Sequence, residues 1–203
     1  MKNRHSLTDE ELMRLYAQGD HKAFEVLYGR HKDSLYRYFC RQLNDVLVAQ
    51  DLYQELWSRV IKSSQHYQAS AKWTTWAYRI AHNLIIDHLR VLKPVEQWDE
   101  EEHSGIESKA QSGLSEPDQS NEQWQMAEQL KRCIGQLPQA QQEVFLLNEE
   151  AGMTVKVMAE VINISSEAAK SRLRYAKTQL QTCLQRFWDS VSAADSTNKG
   201  DQQ

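Results

Sequence analysis

The stretch WTTWAYRIAHNLIIDHLR, residues 73–90, decides the fold class of this chain. Its apolar residues recur every three or four positions, which predicts one amphipathic helix and excludes a strand, where they would alternate. Pro94 follows and is expected to stop the helix. Aromatic residues and cations are interleaved along the same stretch, so the predicted helix is also a candidate binding surface.

Three further helices are predicted upstream of this stretch. Thr8 and Glu11 have the spacing of a capping box, so a short helix should begin near Asp9. Two longer apolar stripes of helical period follow, over residues 24–39 and 48–61. No strand-like alternation interrupts them, which predicts a helical domain over residues 1–93.

The chain changes character after this domain. Residues 94–122 form an acidic segment with almost no apolar periodicity, which predicts a flexible linker. Periodicity resumes over residues 123–188, where two helices are separated by a tight turn at Asn163, a residue type that tolerates the left-handed conformation. The sequence therefore predicts an all-α chain of two small helical domains, the second with a helix-turn-helix, and a disordered tail over 189–203.

Charge is segregated along the chain, although the net charge is only -4. Residues 1–93 carry 14 Lys and Arg against 10 Asp and Glu, and residues 126–188 carry 8 against 6. Residues 94–125 carry 1 against 9. Two mildly basic domains joined by an acidic bridge remain compatible with a nucleic-acid partner.

Several other protein classes are disfavoured by composition. No window of about 18 uncharged apolar residues occurs and the first residues are polar, so we expect no membrane insertion and a cytoplasmic protein. Cys40, Cys133 and Cys183 lie far apart without a C-x-x-C pair, and we expect them to be reduced packing residues. His82 and His88 are six positions apart, on different helix faces, so no metal is predicted. No cofactor motif or catalytic constellation is present, so no enzyme activity is expected.

The last long helix is a candidate DNA-recognition helix. It places several cations within about two turns while its apolar positions keep an inward face. A solvated cationic face would have the same composition, but the preceding short helix and tight turn favour major-groove binding. The candidate contacts are Lys170, Ser171, Arg172, Arg174, Tyr175 and Lys177.

Two more helix faces are candidate interfaces. Asp51, Gln54 and Glu55 share one face of the third helix, which by spacing alone is either solvated or a docking surface. The fourth helix and the loop before it interleave rings and cations, as single-stranded nucleic acid requires, although burial of both tryptophans in the core is an alternative. The candidates there are Tyr67, Gln68, Lys72, Trp73, Trp76, Arg79, Asn83 and Arg90.

Four motifs resemble the extracytoplasmic-function branch of the sigma-70 family, in the family's order. AFEVLYGRHKDSLYRYF at 23–39 is similar to the opening helix of the promoter-melting domain, and QDLYQELWSRV at 50–60 to the polymerase-binding helix. Residues 73–90 resemble the segment that reads the minus-ten element. LPQAQQEVFLL at 137–147 and AKSRLRYAKTQL at 169–180 resemble the minus-thirty-five reader.

The resemblance implies partners and roles for these residues. Asp51, Gln54 and Glu55 would dock on core RNA polymerase, which has beta and beta-prime subunits. Asn83 would hydrogen-bond an extruded base of promoter DNA, in a pocket walled by Tyr67 and Gln68. The acidic linker would thread the channels of the polymerase, and an anti-sigma factor would regulate the chain.

Departures from the family pattern limit what can be transferred. Glu167, Ala168 and Ala169 stand where a Gly-Thr-Val entry to the recognition helix is common, and Arg174 and Tyr175 reverse a frequent order. The promoter sequence that this chain would read can therefore not be transferred from the family.

The main competing hypothesis is a homodimeric helix-turn-helix regulator with an N-terminal sensing domain, which leaves the Asp51 face unexplained. A protein-binding adaptor would need no basic recognition helix, and a metal-dependent enzyme would need ligands that the sequence lacks.

Overall fold

The computed structural model describes residues 4–43, 45–69, 71–92 and 122–198. All regular secondary structure in these ranges is helical, which confirms the predicted all-α class. The short 3₁₀ turns Arg4–Ser6 and Ser64–His66 accompany the α-helices. The α-helices are α1 Asp9–Ala17, α2 His21–Gln42, α3 Val46–Ser63, α4 Trp73–Leu92, α5 Glu122–Gly135, α6 Gln139–Glu149, α7 Val155–Ile162 and α8 Ser166–Asn198.

Helices α1–α4 form an N-terminal body, residues 4–92. The predicted capping box is present, with the Glu11 N–H donating to Thr8 Oγ1 at 3.2 Å and the Thr8 N–H donating to Glu11 Oε2 at 2.8 Å. Asp9 then ties α1 to α2, because its carboxylate pairs with Arg30 at 2.7 Å and His31 at 2.8 Å. The core of this body contains the fully buried side chains of Leu12, Leu27, Leu35, Tyr38, Phe39, Leu56 and Trp73.

Helices α5–α8 form a C-terminal body, residues 122–198, that contains the predicted helix-turn-helix. Asn163 ends α7 in the left-handed conformation, with φ 55° and ψ 50°, as its residue type indicated. The Thr154 side chain caps α7 and the Ser165 hydroxyl accepts from the N–H of Ala168 at the start of α8. This local geometry fixes the direction in which α8 leaves the turn.

A disulfide joins Cys133 of α5 to Cys183 of α8. The expectation that these two cysteines are reduced was wrong. They lie 50 positions apart in the sequence, so spacing gave no sign that the fold brings their Cα atoms to 5.9 Å, a distance that suits a disulfide. Cys40 is free and half-buried.

The predicted linker and the predicted tail are the two segments for which the structure does not simply match the expectation. The predicted acidic linker, 94–122, lies outside the described residues except for Glu122, which begins α5. Residue 189, where a disordered tail was expected, lies inside α8, and the helix continues to Asn198.

The two bodies pack against each other through α2 with α6 and α4 with α7. Buried apolar residues of both bodies belong to one continuous cluster. Polar contacts cross the same boundary, including an ion pair from Arg37 Nε to Glu150 Oε2 at 2.9 Å. This arrangement places α7, the first helix of the helix-turn-helix, beside α4.

Candidate polymerase and nucleic-acid interfaces

The docking face of α3, defined by Asp51, Gln54 and Glu55, is open to solvent. Asp51 and Gln54 are exposed and Glu55 is half-buried. Arg59 donates to Glu55 Oε1 at 2.8 Å, and this hydrogen bond lowers the pKa of Glu55 below its ordinary value. Glu55 therefore carries its negative charge at neutral pH, and a basic partner surface would be attracted to this acidic face.

An exposed leucine extends this face and was missed by the sequence analysis. Leu47 is 71% exposed and precedes Asp51 by four positions, so it lies one turn earlier on the same side of α3. Exposed large apolar side chains next to charged ones are common in protein interfaces. The sequence did contain a signal for the exposure of Leu47, because this residue lies just before the predicted apolar stripe, which begins at Val48.

Five predicted DNA contacts, four on α4 and one on the residue just before it, form one line, called here the α4 stripe. Lys72, Trp76, Arg79, Asn83 and Arg90 are spaced by three, four or seven positions, which places them on one helix face. Trp76 is half-buried and the other four are exposed. Asp87 follows the same spacing and pairs weakly with Arg90, at 3.9 Å. The stripe is therefore a basic surface that carries one aromatic ring and one amide.

The aromatic part of the stripe is continued by the loop before α4. The rings of Tyr67 and Trp76 have centroids 5.2 Å apart with planes at 60°, and Gln68 is exposed beside them. Burial raises the pKa of Tyr67 to about 12, so its hydroxyl stays protonated at neutral pH. Asn83 lies two turns from Trp76, about 10 Å along α4. The rings can therefore stack on one base, while the Asn83 amide can hydrogen-bond a second base farther along α4.

Trp73 differs from its prediction as a DNA contact. Its side chain is fully buried and packs on Trp57 of α3, with ring centroids 6.1 Å apart, and on His31 of α2. The backbone N–H of Trp73 donates to Glu10 Oε1 at 2.7 Å. Trp73 therefore positions α4 from inside the core, in agreement with the alternative interpretation of this residue.

Helix α8, the candidate recognition helix, presents most of its predicted contacts to solvent. Lys170, Arg174, Tyr175 and Lys177 are exposed, and Ser171 is half-buried. The opposite side of α8 packs inward through Ala169, Ala176 and Leu180. The exposed side is basic apart from Glu167, one turn before Lys170.

Arg172 does not share this exposed face. It follows Lys170 by two positions, which is about 200° around a helix, and it is half-buried near the packed side. The two predicted contacts therefore project from different sides of α8, and Arg172 is the less accessible of the two. Arg174, four residues after Lys170, lies on the exposed face instead.

Two contacts modify the basic side chains of α8. The Arg174 guanidinium carbon lies 5.0 Å from the centroid of the Tyr175 ring, a cation–π geometry that holds the two side chains together. Lys177 Nζ is 3.8 Å from Glu149 Oε1, and both side chains are half exposed. A pair this open contributes little stability, so Lys177 remains free to contact a phosphate.

The edge of the α4 stripe is in contact with the C-terminal body. Arg79 Nη2 donates to the backbone carbonyl oxygen of Glu160 in α7 at 2.9 Å. His82, the neighbour of Asn83, contacts Glu143 of α6 through its Nδ1 atom. Asn83 itself stays exposed. One predicted DNA contact, Arg79, is thus occupied by the other body.

Two other kinds of site were also sought in the part of the chain that the structure describes. No group of three or more His, Cys, Asp or Glu side chains there is close enough to hold a metal ion. Nor does any helix of these ranges have the length and apolarity needed to cross a bilayer.

The family model for sigma-70 region 2 matches residues 27–94, which include the docking face and the α4 stripe. The model for sigma-70 region 4 matches residues 127–180, which include the helix-turn-helix. Together they match more than half of the 203 residues. The chain belongs to the sigma-70 family. It is an RNA polymerase sigma factor of the extracytoplasmic-function type. The family consists of non-enzymatic transcription initiation factors, and its domains bind core RNA polymerase and promoter DNA.

Similar curated proteins cover nearly the whole sigma factor. The chain is 27% identical over 172 residues to the ECF RNA polymerase sigma factor SigW of Bacillus subtilis, covering 82% of this chain and 91% of the relative. It is 25% identical over 183 residues to the RNA polymerase sigma-H factor of Pseudomonas aeruginosa, covering 87% and 94%.

Two solved structures share the fold. CnrH in complex with the cytosolic domain of CnrY gives a TM-score of 0.62 at 18% identity, covering 88% of this chain and 97% of that one. RpoE in complex with the anti-sigma factor NepR, from Bartonella quintana, gives 0.62 at 16% identity, covering 81% and 98%. At these identities the likeness concerns the helical architecture.

Proposed function

We propose that residues 1–93 of this sigma factor bind core polymerase and melt the minus-ten element, while residues 123–188 read the minus-thirty-five element. The observation that carries the proposal is the α4 stripe, which combines cations, a half-buried ring and an exposed amide on one helix face. Double-stranded DNA readers need donors for groove edges, whereas melted DNA needs a stacking surface and a pocket for an extruded base.

Each surface has a separate task in this proposal. The docking face on α3, with Leu47 at its end, binds the basic surface of core polymerase. The Trp76 and Tyr67 rings stack on a displaced base while the Asn83 amide reads another, and Lys72 and Arg90 neutralise phosphates. Lys170 and Arg174 reach the minus-thirty-five groove from the exposed side of α8.

The proposal extends to partners and location. The two solved structures of similar fold are complexes, one with the cytosolic domain of CnrY and one with the anti-sigma factor NepR. We expect an anti-sigma factor to bind this chain too, in the cytoplasm, and we expect the chain to have no enzymatic activity. The acidic segment 94–122 would pass through the channels of the polymerase.

Transcription reconstituted from purified components tests this proposal. The chain is mixed with core polymerase, passed over a sizing column, and the complex is used to transcribe a randomised promoter pool. A stable complex that selects promoters with two conserved elements is expected. A chain that stays apart from core polymerase but binds a palindromic duplex as a dimer would instead support the helix-turn-helix regulator.

A further inference from the structure

A cleft in the C-terminal body is lined by the Cys133–Cys183 disulfide. Its volume is about 560 Å³, which is in the range of sites that hold small organic molecules. Gln129 and Cys133 of α5 line one side, and Cys183 and Arg186 of α8 line the other. A small molecule that enters this cleft therefore meets a disulfide, a reactive group that the proposed function does not use.

The two sulfur atoms of this disulfide differ in their access to solvent. Cys133 is 1% exposed, whereas Cys183 is half-buried. In thiol–disulfide exchange a thiolate attacks one sulfur and expels the other, so the accessible sulfur is the one attacked. Gln129 Nε2 donates a hydrogen bond to Cys133 Sγ at 3.6 Å, and this donor would stabilise the departing thiolate. The geometry therefore favours attack at Cys183 with Cys133 as the leaving group.

One cation of the cleft lies next to the sulfur that would be attacked. Arg186 follows Cys183 by three positions, so the two residues are neighbours on one face of α8. Arg186 is exposed, and no carboxylate of the described residues pairs with it. Asp189, the next acid along the helix, accepts a hydrogen bond from Gln185 at 2.9 Å. A guanidinium in this position can bind a carboxylate through two parallel hydrogen bonds.

The other polar side chains of the cleft are neutral amides and hydroxyls. Such groups donate to and accept from peptide bonds, and they provide no acid that would attract a positively charged thiol. They are Gln129, Gln136, Thr178, Gln179 and Thr182. The lining therefore suits a small thiol that carries peptide groups and carboxylates.

We propose that this cleft is a thiol–disulfide exchange site, at which a small acidic peptide thiol reacts with Cys183 and opens the Cys133–Cys183 bond. The inference goes beyond the proposed function and needs neither polymerase nor promoter. It takes from that proposal only the cytoplasmic location, where small thiols are abundant. Disulfides that occur in the cytoplasm are commonly catalytic or redox-sensing.

The exchange has two steps. The thiolate of the small thiol attacks Cys183 Sγ, a new sulfur–sulfur bond forms, and Cys133 leaves as a thiolate that takes a proton from water. A second small thiolate then attacks the sulfur of the bound thiol, and Cys183 leaves as a thiolate. Two small thiols are thereby oxidised to their disulfide while the protein disulfide is reduced. The reverse reaction, with the disulfide of the same thiol, restores the bond.

The exchange would control a covalent link between two helices. Helix α5 follows the acidic segment 94–122, and α8 carries Lys170 and Arg174 in its first half. The disulfide ties the first of these helices to the second. In this proposal the ratio of the small thiol to its disulfide therefore sets whether the two helices are covalently joined.

The test measures how fast two thiols reduce the disulfide in the full-length chain, without polymerase or DNA. The thiols are glutathione and its diethyl ester, which keeps the thiol and the peptide bonds but has no free carboxylate. Each rate is divided by the rate of the same thiol with hydroxyethyl disulfide, so that intrinsic reactivity cancels. The chain has a net charge of -4, so long-range attraction favours the ester, and a preference for glutathione must come from the cleft.

Glutathione is expected to react about threefold to tenfold faster than the ester with the wild type, because Arg186 attracts its carboxylates. Arg186→Gln should remove this preference. Lys156→Gln is the matched control, because it makes the same charge change at an exposed residue of α7 outside the cleft, and it should keep the preference. Equal normalised rates of the two thiols with the wild type, or a full preference in Arg186→Gln, would overturn the exchange site.

A second measurement identifies the sulfur that is attacked. The reaction with glutathione is quenched in acid at early times, and the mixed disulfide is mapped by mass spectrometry. The adduct is expected on Cys183, and an adduct mainly on Cys133 would overturn the proposal. A chain that fails to bind core polymerase would overturn the proposed function instead, and the exchange rates would be unaffected.

Discussion

Trp57 of α3 and Trp73 of α4 stack in the core with ring centroids 6.1 Å apart and planes at 26°. Trp57 follows the docking face by two positions, and Trp73 opens the helix that carries the α4 stripe. The stack therefore fixes α3, which carries the docking face, and α4, which carries the α4 stripe, relative to each other. A sigma factor bound by its α3 face would hold the α4 stripe at a defined position on the polymerase.

Reversing the charge of the docking face should weaken polymerase binding. Asp51→Arg with Glu55→Arg is expected to reduce the affinity for core polymerase about tenfold or more, since a basic partner would then meet like charge. Titration of labelled protein against core polymerase measures this affinity. Glu25→Arg with Glu128→Arg is the control of equal charge, and unfolding curves show whether the fold is kept. Equal affinities of the two variants would remove the docking assignment.

Asn83→Ala should separate melting from binding. The variant is expected to bind core polymerase normally and to lose open-complex formation and preference at one minus-ten position, since an exposed amide is removed from a helix that Ala favours. Permanganate footprinting on a duplex promoter and on a promoter premelted by mismatches measures the defect. An equal defect on both templates, with a lower melting temperature, would make Asn83 a structural residue.

The exposed side of α8 predicts which cations read DNA. Lys170→Ala and Arg174→Ala should each cost about 1–3 kcal/mol of binding to a minus-thirty-five duplex if the side chain reads a base, and less if it meets a phosphate. Arg172→Ala should affect DNA binding less than either, because Arg172 is half-buried on the other side of the helix. Fluorescence anisotropy at several salt concentrations distinguishes these roles. A larger loss for Arg172→Ala would contradict the orientation of α8.

Reduction of the Cys133–Cys183 disulfide should destabilise the C-terminal body. The bond closes a loop between residues 50 positions apart, for which a contribution of about 2–4 kcal/mol is typical. A thiol reductant should lower the melting temperature of the wild type to that of Cys183→Ser and leave that variant unchanged. Cys40→Ser is the control, because Cys40 forms no disulfide. A wild-type melting temperature that ignores the reductant would count against the bond.

Asp9 should make stability depend on acid pH. Burial alone would raise its pKa, but hydrogen bonds from His31 and Arg30 outweigh burial and hold the pKa below the ordinary value of 3.8. The folded state therefore gains stability from ionised Asp9 above that value and loses it as the pH falls through the lower folded pKa. Asp9→Asn should cost about 2 kcal/mol at pH 7, and the difference from wild type should shrink below about pH 4. Urea unfolding at both pH values measures this, and a constant difference would contradict it.

Local signals in the sequence were sufficient for the helices and for the turn that aims α8. Thr8 with Glu11 and the single residue Asn163 act on their own neighbours, so their geometry could be predicted. The contacts of Glu143 with Tyr38 and His82 join residues more than 60 positions apart, and no periodicity encodes them.

The candidate site, like the fold, was predictable where it depends on one helix and not where it depends on several. Residue types and spacing identified the α4 stripe and the docking face, since those depend on one helix each. The burial of Trp73 depends on three helices meeting, and the half-buried position of Arg172 depends on how α8 is rotated against its neighbours. The sequence could name these residues but not decide which side chains reach the solvent.

The length of helix α8 has a mechanical consequence. It is 33 residues long, about 50 Å, and the disulfide at Cys183 fastens it to α5 near its midpoint. Lys170 lies about 20 Å to one side of that fastening and Asn198 about 22 Å to the other. The disulfide adds a covalent attachment near the middle of α8 to the packing of this helix on α5, α6 and α7. A partner that bound the C-terminal half of α8 would therefore act on the same helix, and through the same attachment, as the half that carries Lys170.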